Sequence, residues 1–146
     1  MKKLILGTFV ALALIGATAG ESSLWLTDFS KAQAQAKADK KLVLLDFTGS
    51  DWCPPCKALH KNVLSKPEFE AYAKTNLVLV EVDFPNQKPQ SEALKKSNDA
   101  LQQKFKIDSY PTIIVLDAAG KEIYRKSGYG GASVKDFIAG LEQLKK

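Results

Sequence analysis

Three unbroken apolar runs punctuate the chain: KLVLLDF at 41–47, LVLVEVDF at 77–84 and TIIVLD at 112–117. Runs of this length and continuity fit strands buried on both faces, as in a sheet covered by helices on either side. Around them the spacing becomes helical. In DFSKAQAQAKADKK, Phe29, Ala32 and Ala36 share one face, with Thr27 or Asp28 as cap. CKALHKNVL reads as helix, and KPEFEAYAKTN restarts one with Pro67 in its first turn. SEALKKSNDALQQKF (91–105) predicts a helix with Leu94, Leu101 and Phe105 inward, and SVKDFIAGLEQL (133–144) a last helix capped by Ser133. SLWL is a short first strand, and EIYRKSGY, after the AAGK turn, a strand returning antiparallel. The order is βαβαβαββα, an α/β class with a central mixed sheet flanked by helices on both faces.

Composition places this pattern in one globular domain: 45% of the 146 residues are hydrophobic and 25% charged, enough for an ordinary core. The formal charge of +5 is spread over lysines that alternate with acids, with no basic stripe interleaved with aromatics, so nucleic acid is not an expected partner. The first residues read as an export leader. Lys2 and Lys3 precede an apolar stretch from Leu4 to Gly16, and Ala17-Thr18-Ala19 is a small-x-small cleavage site. The expected division is a signal peptide at 1–19 and one domain at 20–146. An uncleaved anchor is the alternative, although the stretch is short for a span of about 20 residues. The product is expected to be exported, periplasmic in a bacterium with two membranes, and soluble.

The only two cysteines, Cys53 and Cys56, stand in SDWCPPCK. A closed zinc site needs about four ligands, and the single histidine, His60, leaves the set short without carboxylates or a second subunit. As a crosslink, so short a loop stabilises little, about 2 kcal/mol on the loop-entropy model. Reversible redox chemistry uses the pair best. It follows a buried strand and opens a helix, so Cys53 is expected at the N-cap with its sulfur exposed, where the helix dipole favours a thiolate. Cys56, one turn on, is expected to be more buried and to act as the resolving thiol. Pro54 and Pro55 have no N–H to offer, which leaves the Cys56 amide or thiol as the main stabiliser of a Cys53 thiolate. No charged residue stands between the cysteines. Both features favour a modestly acidic Cys53 and hence a reductant.

W-C-x-x-C after a strand, with Tyr110-Pro111-Thr112 before a later one, resembles the thioredoxin superfamily, and DFTGSDWC its exported bacterial members. The likeness runs from about Leu24 to Leu144. It implies a thioredoxin fold, thiol–disulfide exchange led by Cys53, and a cis Pro111 lying against the disulfide. The backbone of Tyr110 would then be free to pair with an extended client segment. It also implies that the acid on the first long strand, Asp46, relays the proton of the buried cysteine. Here Asp46 stands seven residues before Cys53 where thioredoxin has six, so a bulge at Gly49 must absorb the extra residue or Asp46 turns away. Glu81 occupies the place of a thioredoxin lysine; it should push the Asp46 pKa further up if the two approach, or else face solvent. Trp52 is expected to flank the disulfide as an apolar platform. Asp51 and His60 read as surface residues, and Lys57 as surface charge near the site.

The expectation is therefore a monomeric exported protein disulfide reductase using protein dithiols and disulfides as substrates. It needs no metal or organic cofactor and draws on a separate electron donor, by resemblance a membrane thiol transporter. Two alternatives stand beside it: an oxidase or isomerase of the same fold, and a binding module whose redox chemistry is incidental.

Overall fold

The structure, a computed structural model, describes residues 23–145; the expected leader lies outside the described residues. Its elements are β1 (Trp25–Leu26), α1 (Phe29–Asp39), β2 (Leu42–Thr48), α2 (Pro54–Leu59), α3 (Pro67–Asn76), β3 (Leu77–Asp83), α4 (Glu92–Lys104), β4 (Thr112–Leu116), β5 (Glu122–Ser127) and α5 (Val134–Gln143). A single π-helical turn, His60–Leu64, continues α2.

The sheet order is β1-β3-β2-β4-β5. β1, β3 and β2 run parallel, whereas β4 pairs antiparallel with β2, and β5 with β4. The mixed sheet read from the sequence is the one observed, and the three continuous apolar runs are its three central strands.

Side-chain alternation along those strands builds two cores. One face joins Val43, Leu45 and Phe47 to α1 and the end of α4. The other joins Leu44, Leu79 and Ile113 to α2, the π turn, α3 and α5 through Leu59, Val63, Phe69 and Phe137. A fully buried Leu or Phe of this kind contributes about 1.5–3 kcal/mol. Asp46 and Thr48 share the parity of Leu44, and Glu81 and Asp83 that of Leu79. Four polar side chains therefore continue the second face towards the carboxyl ends of β2 and β3, on the side that carries α2.

The helix starts are capped by residues suited to it: Asp28 accepts from the Lys31 amide, Ser91 from Leu94 and Ser133 from Asp136. One expectation fails in α4. Leu94 is only half-buried, and the fully buried residue between it and Leu101 is Asn98, at 1% exposure. Its Nδ2 donates to the Asp83 carbonyl at 2.9 Å, tying α4 to the end of β3 beside the site. Gln90 Nε2 donates to the same carbonyl at 3.1 Å, and the Asn98 Oδ1 has no partner among the described residues.

Candidate active site

Cys53 is the N-cap of α2 in extended conformation, with Pro54 and Pro55 opening the helix. Its Sγ accepts the Cys56 amide at 3.3 Å and is joined to the Cys56 sulfur in a disulfide. With two prolines after it, that amide is the first N–H the helix can offer, as the sequence implied. The expected difference in exposure is not observed. Cys53 and Cys56 are each 3% exposed. What separates the two is orientation: Cys56, and not Cys53, lines a cavity of about 220 Å³ beneath α2, together with Asp46, Thr48, Ser50, Lys57, His60, Glu81 and Lys88.

The extra residue before the motif is taken up between Gly49 and Cys53. The Gly49 carbonyl accepts from the amides of Trp52 and Cys53, and the Ser50 N–H and Oγ donate to the two Asp83 carboxylate oxygens. Asp46 consequently stays on the cavity side. It is 6% exposed, and its Oδ1 has no partner among the described residues. Burial, then the nearby Glu81 and Asp83 carboxylates, push its pKa up to about 7. The condition set for Glu81 is met: the two acids are register partners on adjacent parallel strands.

Asp51 is a half-buried clamp, where the sequence suggested a surface acid. Its carboxylate accepts the backbone N–H groups of Asn86, Gln87 and Lys88 at 2.7–3.0 Å, and these bonds hold its pKa down to about 2. It anchors the loop after β3 and has no proton to exchange near neutrality. His60 is exposed at the start of the π turn, as read, but also sits at the cavity rim.

Trp52 is 41% exposed, the one large exposed hydrophobic side chain among the described residues. Its Nε1 donates to the Phe84 carbonyl at 2.8 Å, and its ring meets Tyr110 edge-on at 5.8 Å. Tyr110 packs in turn on Phe84 at 5.4 Å, and its hydroxyl is held by Gln102. The Tyr110–Pro111 peptide is cis. The Pro111 carbonyl accepts from Gly128, whereas no protein partner takes the Tyr110 backbone N–H or C=O among the described residues. The indole lies so close on Gly49 that a Cβ there would stand 2.4 Å from its Cε2. Gly49→Ala should therefore displace the indole and cost about 1–3 kcal/mol. The check is urea unfolding together with Trp52 emission in a Trp25→Phe background; an unchanged spectrum and midpoint would contradict the contact.

Among the described residues no group of three or more His, Cys, Asp or Glu side chains converges as a metal set, and no helix is long and apolar enough to cross a membrane.

A disulfide at a helix start, a cis-proline loop and a buried acid define a thiol–disulfide oxidoreductase of the thioredoxin superfamily. The chain belongs to that family: residues 29–145 match the thioredoxin-like domain model. It is 37% identical over 121 residues to the thioredoxin-related protein DsbJ of Chlamydia pneumoniae, covering 81% of this chain and 35% of that protein. It is 33% identical over 124 residues to the disulfide bond reductase DsbH of the same organism, covering 83% of this chain and 75% of that one. The match to the thiol:disulfide interchange protein DsbD of Pseudoalteromonas atlantica, at 33% identity, spans 82% of this chain but only 19% of that protein. Among solved structures, a DsbH oxidoreductase superposes with a TM-score of 0.77 at 29% identity, covering 95% of this chain and 94% of that one.

Proposed function

We propose that the protein is an exported protein disulfide reductase. Cys53 attacks a client disulfide, Cys56 resolves the mixed disulfide, and Asp46 takes the Cys56 proton. Trp52, Tyr110 and Pro111 receive the client chain, whose extended backbone pairs with the open N–H and C=O of Tyr110. The domain at 20–146 acts as a monomer once residues 1–19 are removed. Its dithiol is regenerated by a separate donor, a membrane thiol transporter in kind.

The observation that carries this reading is the placement of Cys56 and Asp46 on one cavity behind the Cys53 cap. Resolution requires a buried thiol to lose its proton, and a carboxylate with a free oxygen, itself titrating near neutrality, is suited to accept it. The direction, reduction over oxidation, is supported by the cap. Cys53 Sγ receives one backbone N–H, and the prolines withhold the others. A weakly stabilised thiolate favours the disulfide form of the protein and so makes the dithiol a reductant. The likeness to a disulfide bond reductase over most of both chains agrees with that direction.

Equilibration with glutathione, read by Trp52 emission, tests it. The expected potential lies near the thioredoxin end of the range, about −270 mV, and a value near about −120 mV would make the protein an oxidant instead.

A further inference from the structure

We propose that Glu81 is a positioning residue that shares the Asp46 proton across the sheet and thereby sets the pH at which Cys56 can be deprotonated. This rests on the reading of Asp46 as the base in resolution. Three observations carry it.

The first is register. Asp46 and Glu81 face each other on parallel strands, whose spacing is about 4.8 Å, and both side chains point to the α2 side of the sheet. The second is the shared cavity, which Asp46, Glu81 and Cys56 line together and in which Asp46 Oδ1 lacks a protein partner. The third is the gradient of exposure. Asp46 is buried, Glu81 half-buried, and Lys57, His60 and Lys88 at the rim are exposed. A proton leaving Asp46 meets Glu81 on the way to solvent.

The Asp46 carboxylate takes the proton of the Cys56 thiol. The Cys56 thiolate forms a bond to Cys53 Sγ, the bond from Cys53 to the client sulfur breaks, and the client sulfur leaves with that electron pair and is protonated by water. The client has gained two electrons and the dithiol has lost two. The proton on Asp46 passes to Glu81 and then to water at the rim.

Every charged group facing Glu81 bears on its titration. Asp46 faces it from β2. Asp83 lies two residues on in its own strand, with both oxygens engaged by Ser50. Lys57 and His60 approach from α2 and its π turn, and Lys88 from the following loop. The Asp46 position itself is flanked from β4 by the apolar Ile113, which supplies no counter-charge. Burial and Asp83 favour a protonated Glu81, while Lys88 and His60 oppose them. Two carboxylates this close titrate as a coupled pair, and the deeper one cannot ionise freely while the other is charged.

The test is the pH profile of resolution. A Cys53 mixed disulfide is formed with a client peptide, and peptide release is followed from pH 5 to 9, with the Asp46 carboxyl carbon titrated in parallel by NMR. In the unmodified protein both should show one midpoint. E81Q should move that midpoint down by about one pH unit, E81D should restore most of the difference, and H60Q should leave the dependence on Glu81 in place. If D46N abolishes the limb but E81Q leaves the midpoint where it was, the role of Glu81 is overturned and the Asp46 base stands. If the limb persists in D46N, both fall, because the titrating group is neither carboxylate. If H60Q removes the limb, the inference fails in favour of the imidazole.

Discussion

Cys56→Ser should arrest the protein on its clients as stable mixed disulfides, and Cys53→Ser should trap none. Each change should lower steady-state disulfide reduction by at least about a hundredfold, since each removes a sulfur the cycle needs. The two variants are nevertheless unlike. Cys53 keeps the backbone N–H of residue 56 in Cys56→Ser, because that donor belongs to the main chain. Its thiolate is still stabilised, and the first attack proceeds. With no thiol one turn on, the bond to the client persists. In Cys53→Ser the remaining sulfur lines the cavity beneath α2 and is expected to stay out of reach of a client segment paired with Tyr110. Non-reducing electrophoresis of the exported fraction, followed by mass spectrometry of the adducts, separates the outcomes. Equal trapping by both variants would remove the assignment of attacker and resolver.

The sheet was legible because its three inner strands are apolar on both faces, a pattern that a strand open to water on one side would not show. The redox pair was legible because chemistry and local structure coincide there: proline at N1 and cysteine at the cap are properties of a few adjacent residues. What escaped depends on residues distant in sequence. Nothing local reveals that Asn98 would be buried, since a polar residue in an amphipathic helix reads as exposed until the Asp83 carbonyl is placed beside it. Asp51 was likewise opaque, because its three donors lie 35 to 37 residues further on. The burial of Cys53 is a tertiary property, and no N-cap signal contains it. Asp46 falls between these cases. Its place in an apolar run announced burial, whereas the facing Glu81 needed the register of β2 on β3.

Asp46→Asn should stabilise the oxidised protein in a strongly pH-dependent way. The Asp46 pKa rises from 3.8 in the unfolded chain to about 7 in the fold. Between those values the folded state binds the extra proton, so stability falls as pH rises through the window and the loss is complete above about 7. Below the unfolded value both states are protonated, and Asp46 contributes no pH dependence. The full shift corresponds to roughly 4 kcal/mol, of which about 3 kcal/mol accrues between pH 4.5 and 8. Asparagine carries no such penalty, but its amide must find partners in the cavity, and an unmet buried donor costs about 1–3 kcal/mol at every pH. That offset makes the net gain at a single pH a poor measure. The difference between the two proteins cancels Asp51, whose lowered pKa acts in the opposite sense at acid pH and is common to both, and leaves the Asp46 carboxyl together with its effect on Glu81. Urea unfolding of the oxidised forms at pH 4.5 and 8 should show the advantage of the variant growing by about 3 kcal/mol as pH rises. The same substitution should slow resolution of a preformed Cys53 mixed disulfide while leaving the first attack nearly unchanged, since only Cys56 shares the cavity with residue 46. A stability difference that stays flat with pH would mean that Asp46 ionises in the fold as freely as in the unfolded chain. It could then be neither a strained carboxylate nor a base tuned to neutrality.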